Sequence, residues 1–573
     1  MAVTGGTEGT ELLAALHGLR DAAAGTTLPL DLPDVGDARR RQHELIHQLD
    51  DYIIPRVGSL DAPLLAVVGG STGAGKSTLV NSIVGETVTR SGVLRPTTRA
   101  SSLIHNPSDA RWFTDTRVLP GLARQTGAEA AASDPDTLRL VPCSAVPSGV
   151  ALLDAPDIDS VVSANRDLAR QLLSAADLWI FVTTAARYAD AVPWELLHQA
   201  IGRGTSVAVV LNRVPVDAME EVRSDLAGML MEQGLGQSPV FAIAETALAD
   251  DGLLPVTEVS RIRSWLSSLA SDAHARDLVI RRTLDGALDS LAERTTELRS
   301  AHEAQVHGVA DLRDRAATAY ASALEGVGEG VRDGSLLRGE VLARWQEFVG
   351  TGELLRQLDA GVGRLRDRVT SFVRGRGKAQ PANDLGEALQ TGVAALLQSH
   401  AEGAAITASR GWRTTPGGAP LVDAHHELAS VSPDFTPRAE KLVRGWQDDV
   451  LQMVRDEAGG KRATARFLAF GVNGIAVMLM ILVFSATAGL SGAEIGIAGG
   501  SAILAQRLLE AVFGDQAVRT LSARARARLL ELTKELYAAE RQRYDDALAE
   551  LVGSQELEPG ALDAAVAAVR KAR

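Results

Sequence analysis

Apolar and polar positions follow two different rules along this chain. Between Leu64 and about Leu269, short apolar runs alternate with helical patterns. The runs are Leu64–Val68, Thr116–Leu119, Ala151–Asp154, Leu178–Thr183, Ser206–Leu211 and Val240–Ala244. Runs of this length, bounded by turn residues, predict strands, and their alternation with helices predicts an α/β domain with a mostly parallel sheet and helices on both faces. After Asp272 the period lengthens. Leu284, Leu288, Leu291, Leu298, Val309 and Leu312 fall near a heptad register with Arg and Glu between them, which predicts a long helix packed on partner helices. A glycine-rich break is expected at 326–334, with helix resuming to about Phe372. A basic loop, Arg374–Lys378, ends near Pro381; further helices are expected over Leu385–Ile406 and Arg438–Glu457, with a loop over Gly411–Pro420 between them. Upstream of the sheet, Met1–Asp37 is expected to begin in disorder and Ala38–Val57 to be helical.

A different pattern sits late in the chain. Phe467–Leu490 is 24 residues without a charge, long enough to cross a bilayer. A weaker apolar stretch, Ala486–Ala505, carries Glu494 and small residues at Gly492, Gly496 and Gly500, a spacing that lets two membrane helices approach closely. Lys461, Arg462 and Arg466 precede the first stretch, and Arg507, Arg519, Arg524, Arg526 and Arg528 follow the second. Basic flanks at both ends predict a membrane hairpin whose two ends are cytoplasmic; a single span and an apolar helical tip that inserts only shallowly are the competing readings. Asp515–Leu551 then reads as a charged amphipathic helix. The expected division is an N-terminal disordered segment and helix (1–60), an α/β domain (61–270), a helical region (271–460), a membrane hairpin (461–507) and a return helix (508–573).

Chemistry concentrates in the second of these regions. Gly69–Ser77 reads Gly-Gly-Ser-Thr-Gly-Ala-Gly-Lys-Ser directly after the Leu64–Val68 run. Gly70, Gly75, Lys76 and Ser77 satisfy the G-x-x-x-x-G-K-[ST] spacing of a phosphate-binding loop between a strand and a helix. Glycines let the backbone curl so that the N–H groups of Gly70, Ser71, Thr72, Gly73, Ala74, Gly75 and Thr78 can face phosphate oxygens, and the helix N-terminus adds its positive end. Lys76 is expected to reach the β- and γ-phosphates and the Ser77 hydroxyl to ligate Mg²⁺. Asp154 ends a strand where such enzymes hold Mg²⁺ through water. Thr97 or Thr98, in Leu94-Arg-Pro-Thr-Thr-Arg99, is placed to join the metal when a γ-phosphate is present.

Three positions depart from the commonest GTPase pattern. Asp157 stands where D-x-x-G places glycine, and a carboxylate there repels a γ-phosphate unless it points away. Ile158 follows where Ras-type enzymes carry a water-orienting Gln. In Asn212–Asp217, Asn212 and Arg213 fit an N-K-x-D base-reading motif, but Pro215 takes the place of its acid and Asp217 comes two residues late. That leaves an ATPase of related fold open. Glu245-Thr246 carries only a faint signal for the last base-side loop.

Composition narrows the classes. Of 573 residues, 46% are apolar and 4% aromatic, which suits long Ala- and Leu-rich helices. A net charge of −14 argues against a general nucleic-acid binder. Cys143 is the sole cysteine, so neither an internal disulfide nor a cysteine zinc site can form. No basic-then-apolar signal peptide opens the chain.

The motifs Gly69–Ser77, Pro96–Thr98, Asp154–Asp157 and Asn212–Asp217, in that order and followed by long helices and a membrane-active segment, resemble those of bacterial dynamin-like GTPases of the actinobacterial type. The nucleotide motifs span about a third of the chain. The resemblance implies a GTPase head, a neck and a helical stalk, with GTP and Mg²⁺ as cofactors. It also implies self-association or a paralogous dynamin-like partner, membrane lipid as a binding surface, and membrane remodelling or division support at the inner membrane. Family members often carry Ser or Gln three residues before the loop lysine; here that position is Gly73. Together with Asp157 and Pro215 it implies slow turnover or altered base choice. The competing readings are a nucleotide-binding membrane scaffold without useful hydrolysis, and an ATPase.

Overall fold

The structure is a computed structural model. It describes residues 7–89, 101–115, 117–126, 137–158, 163–202, 204–333, 336, 340–349, 379–458, 464–484, 505–507, 509–510, 513–553 and 560–573. The chain divides into two compact units. One comprises Met1–Leu28, Asp34–Glu303 and Leu557–Arg573, the other Pro29–Pro33 and Ala304–Glu556.

The first unit is built on one eight-stranded sheet. Its strands are β1 (Leu64–Gly70), β2 (Ser101–His105), β3 (Ala123–Thr126), β4 (Thr137–Pro142), β5 (Val150–Asp154), β6 (Leu178–Thr184), β7 (Ser206–Val214) and β8 (Val240–Ala244). Their spatial order is β3-β4-β2-β5-β1-β6-β7-β8, parallel throughout except for the β2–β5 pair. Period-2 geometry sends neighbouring residues of β1 to opposite faces. Leu65 and Val67 enter one core with Leu153, Leu172, Trp179 and Phe181. Leu64, Ala66 and Val68 enter the other with Leu79, Ile83, Ile180 and Ile262. Burial on both faces explains why β1 and β6 read as continuous apolar runs.

Helices α1 (Thr7–Gly25), α2 (Val35–Gln48) and α3 (Ile54–Gly58) precede the sheet, with a π-helical turn Leu49–Ile53 joining the last two. Residues 1–6, at the start where disorder is expected, lie outside the described residues; α1 follows them and buries Leu12, Leu16, Leu19 and Ala23 along one face. Within the sheet region come α4 (Lys76–Val84), α5 (Ser163–Ser174), α6 (Ala191–Gly202), α7 (Met219–Glu232) and α8 (Val256–Ser271). Helix α9 runs from Ala273 to Arg332. Buried Asp177 knots this unit together: its Oδ2 takes the Leu65 N–H at 2.8 Å and pairs with Arg56, and its carbonyl accepts from Thr283 Oγ1 at 2.8 Å.

Two expectations fail inside the sheet. No strand forms at Thr116–Leu119 among the described residues. The carbonyls of Phe113, Asp115, Val118, Leu119 and Leu122 turn inward onto the Arg124 guanidinium instead of a ladder, and Leu119 takes φ 52°. Strands β2, β3 and β4, not foreseen, fill that edge.

The second unit is helical. It holds the later part of α9, then α10 (Glu340–Val349), α11 (Ala379–Thr414), α12 (Ala419–Ala424), α13 (Phe435–Ala458), α14 (Thr464–Val483) and α15 (Asp515–Val552); α16 (Ala561–Ala572) returns to the first unit and packs on α1. The break expected at 326–334 is absent as far as Arg332, where α9 ends. A Cβ on Gly326 would meet His400 at 2.5 Å and one on Gly330 would meet Leu396 at 3.0 Å, so these glycines permit close helix contact. Aromatic side chains fill the core and end on backbone carbonyls. Trp412 Nε1 donates to Leu312 at 2.7 Å, Trp446 Nε1 to Ala525 at 2.8 Å, and Tyr537 OH to Leu397 at 2.8 Å.

The membrane hairpin expected over 461–507 is not supported. Among the described residues no helix is long and apolar enough to cross a membrane. The described side chains of the first stretch, Ile475–Phe484, are buried by protein; Phe484 packs on Trp446 at 5.6 Å, and Arg526 Nη2 donates to the Val483 carbonyl at 2.8 Å. Apolarity there serves helix packing in this conformation. Most of the second stretch (485–504) and the basic loop at 374–378 lie outside the described residues.

Candidate functional site

Strand β1 ends at Gly70, and the chain turns through Ser71, Thr72, Gly73, Ala74 and Gly75 into α4. Sheet register decides what gathers there. Val68 lies opposite Asp154 on β5 and Gly70 opposite Val182 on β6, so the C-terminal ends of three parallel strands converge on the loop. Ligands bind at such ends in open α/β sheets. Two of the glycines are required by space as well as by backbone angle. Gly70 has φ 155° and a Cβ there would stand 2.0 Å from the Val182 carbonyl oxygen; Gly75 has φ 88° and its Cβ would stand 2.6 Å from Asn212 Nδ2.

The loop's polar groups are closely engaged. Lys76 Nζ donates to the carbonyls of Gly70 at 2.9 Å and Ser71 at 3.2 Å, and forms an ion pair with Asp157 Oδ1. Ser77 Oγ donates to Asp154 Oδ2 at 2.7 Å. Asp154 is fully buried, and desolvation pushes its carboxyl above the usual range against the opposing pull of the Ser77 hydroxyl and the Lys76 charge. Thr78, half-buried in the first turn of α4, accepts from Ser82 Oγ at 2.7 Å through its carbonyl. Thr97 and Thr98 lie outside the described residues.

On the base side, Asn212 is buried and its Nδ2 donates to the Ala74 carbonyl at 2.8 Å, which ties the end of β7 to the phosphate loop. Arg213 follows in the left-handed region at φ 53°, its N–H donating to Asn212 Oδ1 at 3.0 Å. Arg213 is exposed, as is Asp217 in the short 3-10 turn Val216–Ala218 after Pro215. Lys76, Ser77, Asp154, Asp157 and Asn212 are thus gathered around one loop, whereas Asp217 stands in solvent.

Two residues not singled out from sequence also shape the site. Arg187, in the loop after β6, donates through Nη1 to the Thr72 carbonyl at 3.2 Å, and Asp190 holds its Nε at 2.8 Å. Asn81 on α4 takes the Val88 and Thr89 N–H groups at 3.0 and 2.8 Å and returns a bond to the Thr89 carbonyl at 2.8 Å, fixing the chain that leads into residue 90. Neither residue belongs to a motif; only the adjacency of β6 to β1 and the first turns of α4 point to them.

The donor set fits Mg²⁺ and a nucleotide polyphosphate. Three buried oxygens at this end of the sheet, Ser71 Oγ, Thr183 Oγ1 and Asp154 Oδ1, have no hydrogen-bond partner among the described residues. Buried polar groups left in that state are costly unless a ligand or water satisfies them. A hydroxyl and one carboxylate are what Mg²⁺ takes from protein when phosphates supply further oxygens. Among the described residues no group of three or more His, Cys, Asp or Glu could hold a metal by itself.

Comparison with known proteins agrees with this part of the chain. Residues 65–214, from β1 to the end of β7, match the Dynamin family. A comparison with curated proteins yields no match. Two solved structures of an oligomerised bacterial dynamin pair, described as a mechanism for the long-range sensing and tethering of membranes, are similar to this chain. Each is 10% identical with a TM-score of 0.44; one likeness covers 100% of this chain and 95% of the other, the second 96% and 97%.

Proposed function

On the premise that its head belongs to the dynamin family over residues 65–214, we propose that this protein is a Mg²⁺-dependent GTPase that couples GTP binding and hydrolysis to self-association and to membrane remodelling or tethering. The observation that carries the reading is the Ser77–Asp154 contact of 2.7 Å beside Lys76, at the end of β1. Phosphoryl transfer needs mainly positioning and charge stabilisation. The loop N–H groups and the α4 N-terminus orient the polyphosphate, and Lys76 neutralises it. Ser77 and Asp154, with Thr97 or Thr98, would hold Mg²⁺, which when bound neutralises charge on the phosphate oxygens. Asn212 keeps the base-side strand against the loop.

Turnover by the isolated head is slow in this reading. Ile158 is 3% exposed and has no group to orient an attacking water. Backbone groups completed by pairing of two heads would hold that water, the second copy being this chain or a paralogous dynamin-like partner. We assign lipid contact to the basic cluster Lys461, Arg462 and Arg466, on the cytoplasmic face of the inner membrane, where the protein would support remodelling or division. Phosphate release measured against protein concentration and against anionic liposomes tests this. Stimulation by both is expected; turnover indifferent to both sinks the coupling.

A second reading is a nucleotide-binding membrane scaffold without useful hydrolysis. The ion pair of Lys76 with Asp157 favours it, because the group that should grip phosphate is already engaged. Pro215 keeps an ATPase in view, and competition of ATP against GTP for binding separates it from the leading reading.

A further inference from the structure

An ammonium group has three protons to donate, and in this head the three acceptors of Lys76 are all protein: the carbonyls of Gly70 and Ser71 and the carboxylate of Asp157. The pair is enclosed, with side-chain exposure of 5% for Lys76 and 15% for Asp157. Backbone bonds fix where the acid stands. The Ala155 N–H donates to the Val68 carbonyl at 3.2 Å and the Ile158 N–H to the Gly70 carbonyl at 3.4 Å, so the segment carrying Asp157 is stitched along the end of β1. Ile158, buried beside it, holds that segment down.

We propose that Asp157 is a tethered stand-in for the terminal phosphate: its carboxylate occupies Lys76 in the nucleotide-free head and has to leave before a triphosphate can be gripped. The argument rests on the nucleotide-binding reading of the head and deepens it. A carboxylate and a γ-phosphate compete for one ammonium and repel each other across it in a poorly solvated site. Glycine at this position would offer no competitor. The acid therefore lowers affinity for triphosphate more than for diphosphate, since both bring a β-phosphate to Lys76 but only a triphosphate brings a γ-phosphate to the place the carboxylate takes. Lys76 stays paired when the site is empty, which spares the head an uncompensated buried charge. If latched molecules make up about nine-tenths of the nucleotide-free population, the apparent affinity is lowered about tenfold.

The test is calorimetric titration of the full chain with GTPγS and with GDP in the presence of Mg²⁺, for the wild type, Asp157→Asn and Asp157→Gly. Thermal unfolding of each is followed with and without GTPγS. Both variants are expected to raise the GTPγS-to-GDP affinity ratio about tenfold. They should also melt below the wild type without nucleotide and close or reverse that gap when GTPγS is bound. A merely structural ion pair would lower the midpoint under both conditions and leave the ratio unchanged; that result overturns the proposal. A fall in the ratio also overturns it, because Asp157 would then be supporting the triphosphate. Should one variant fail to fold, the other decides. If wild type and variants alike bind neither nucleotide, the reading of the head falls as well, an outcome distinct from normal wild-type binding with an unmoved ratio.

Discussion

Asp154 in the nucleotide-binding unit and Glu540 in the helical unit are both fully buried acids, and they are treated in opposite ways. Glu540 is saturated. Its Oε1 takes Ser432 Oγ at 2.5 Å and Arg438 Nη1 at 3.4 Å, and its Oε2 takes the Ser432 N–H at 2.9 Å and Arg543 Nη1 at 3.0 Å. Asp154 has the Ser77 hydroxyl on Oδ2 and, among the described residues, no hydrogen-bond partner on Oδ1. A saturated buried acid is a fastening; here it holds the turn at Ser432 against α15. An acid left half-satisfied in the interior costs stability, and the cost is offset only when something else arrives. The contrast lies in the cations: Glu540 is held by Arg438 and Arg543, and buried Asp177, whose Oδ1 is also open among the described residues, is held by Arg56, whereas no ion pair to Asp154 forms among the described residues.

Four experiments sharpen or break that contrast. Lys76→Ala should have the largest effect, a loss of nucleotide affinity of about a hundredfold or more by fluorescence titration, with the helical unit intact by circular dichroism. Normal binding by that variant would remove the site altogether. Glu540→Ala should destabilise the helical unit by about 2–3 kcal/mol in denaturant unfolding while nucleotide affinity stays unchanged, since it strips a fastening and exposes Arg438 and Arg543 to pairing loss.

Asp154→Asn should do the reverse. Mg²⁺-dependent affinity should fall about tenfold, and the nucleotide-free protein should gain up to about 1 kcal/mol. The sign follows from the raised carboxyl: a folded acid that holds its proton more tightly than the unfolded one loses stability as pH rises above the unfolded value of 3.8, and Asn carries no such penalty. A destabilised Asp154→Asn would place Asp154 with Glu540 and cancel the distinction. The smallest effect is expected at His47. Its imidazole is held above the ordinary value of 6.5 chiefly by its bond to Asp51, itself also bound by Gln171 Nε2 at 2.8 Å. The pair's contribution is full below that value and is lost as pH rises through the folded one. The wild-type advantage over His47→Gln, less than about 1 kcal/mol for a pair whose imidazole is partly exposed, should therefore shrink in thermal melts as pH rises above 6.5.

What could be read from sequence tracks where local pattern and tertiary role coincide. Strands β1, β5 and β6 are buried apolar runs and β8 is a half-buried one, and they stand within a residue or two of where periodicity puts them. Strand β7 runs on to Val214 because its end is held by Asn212 and the loop it contacts. Strand β2, Ser-Ser-Leu-Ile-His, is wholly buried yet carries three polar residues, so hydrophobicity does not mark it. Strand β3, Ala-Arg-Gln-Thr, lies at the sheet edge with no apolar face. The phosphate loop was legible because its glycines answer a steric demand that few residues meet. Arg187, Asn81 and the pairing of Asp157 with Lys76 were not, since each depends on which strand ends lie side by side. Apolarity over 467–490 was legible, but burial of Ile475–Phe484 shows that the same composition serves packing.

Helix α1 and helix α16 pack together although more than five hundred residues separate them. During synthesis α1 leaves the ribosome long before residues 561–572 exist, so the seam between the two helices is among the late contacts of its unit to form. A ribosome that stalls after residue 556 releases a chain in which α1 lacks α16.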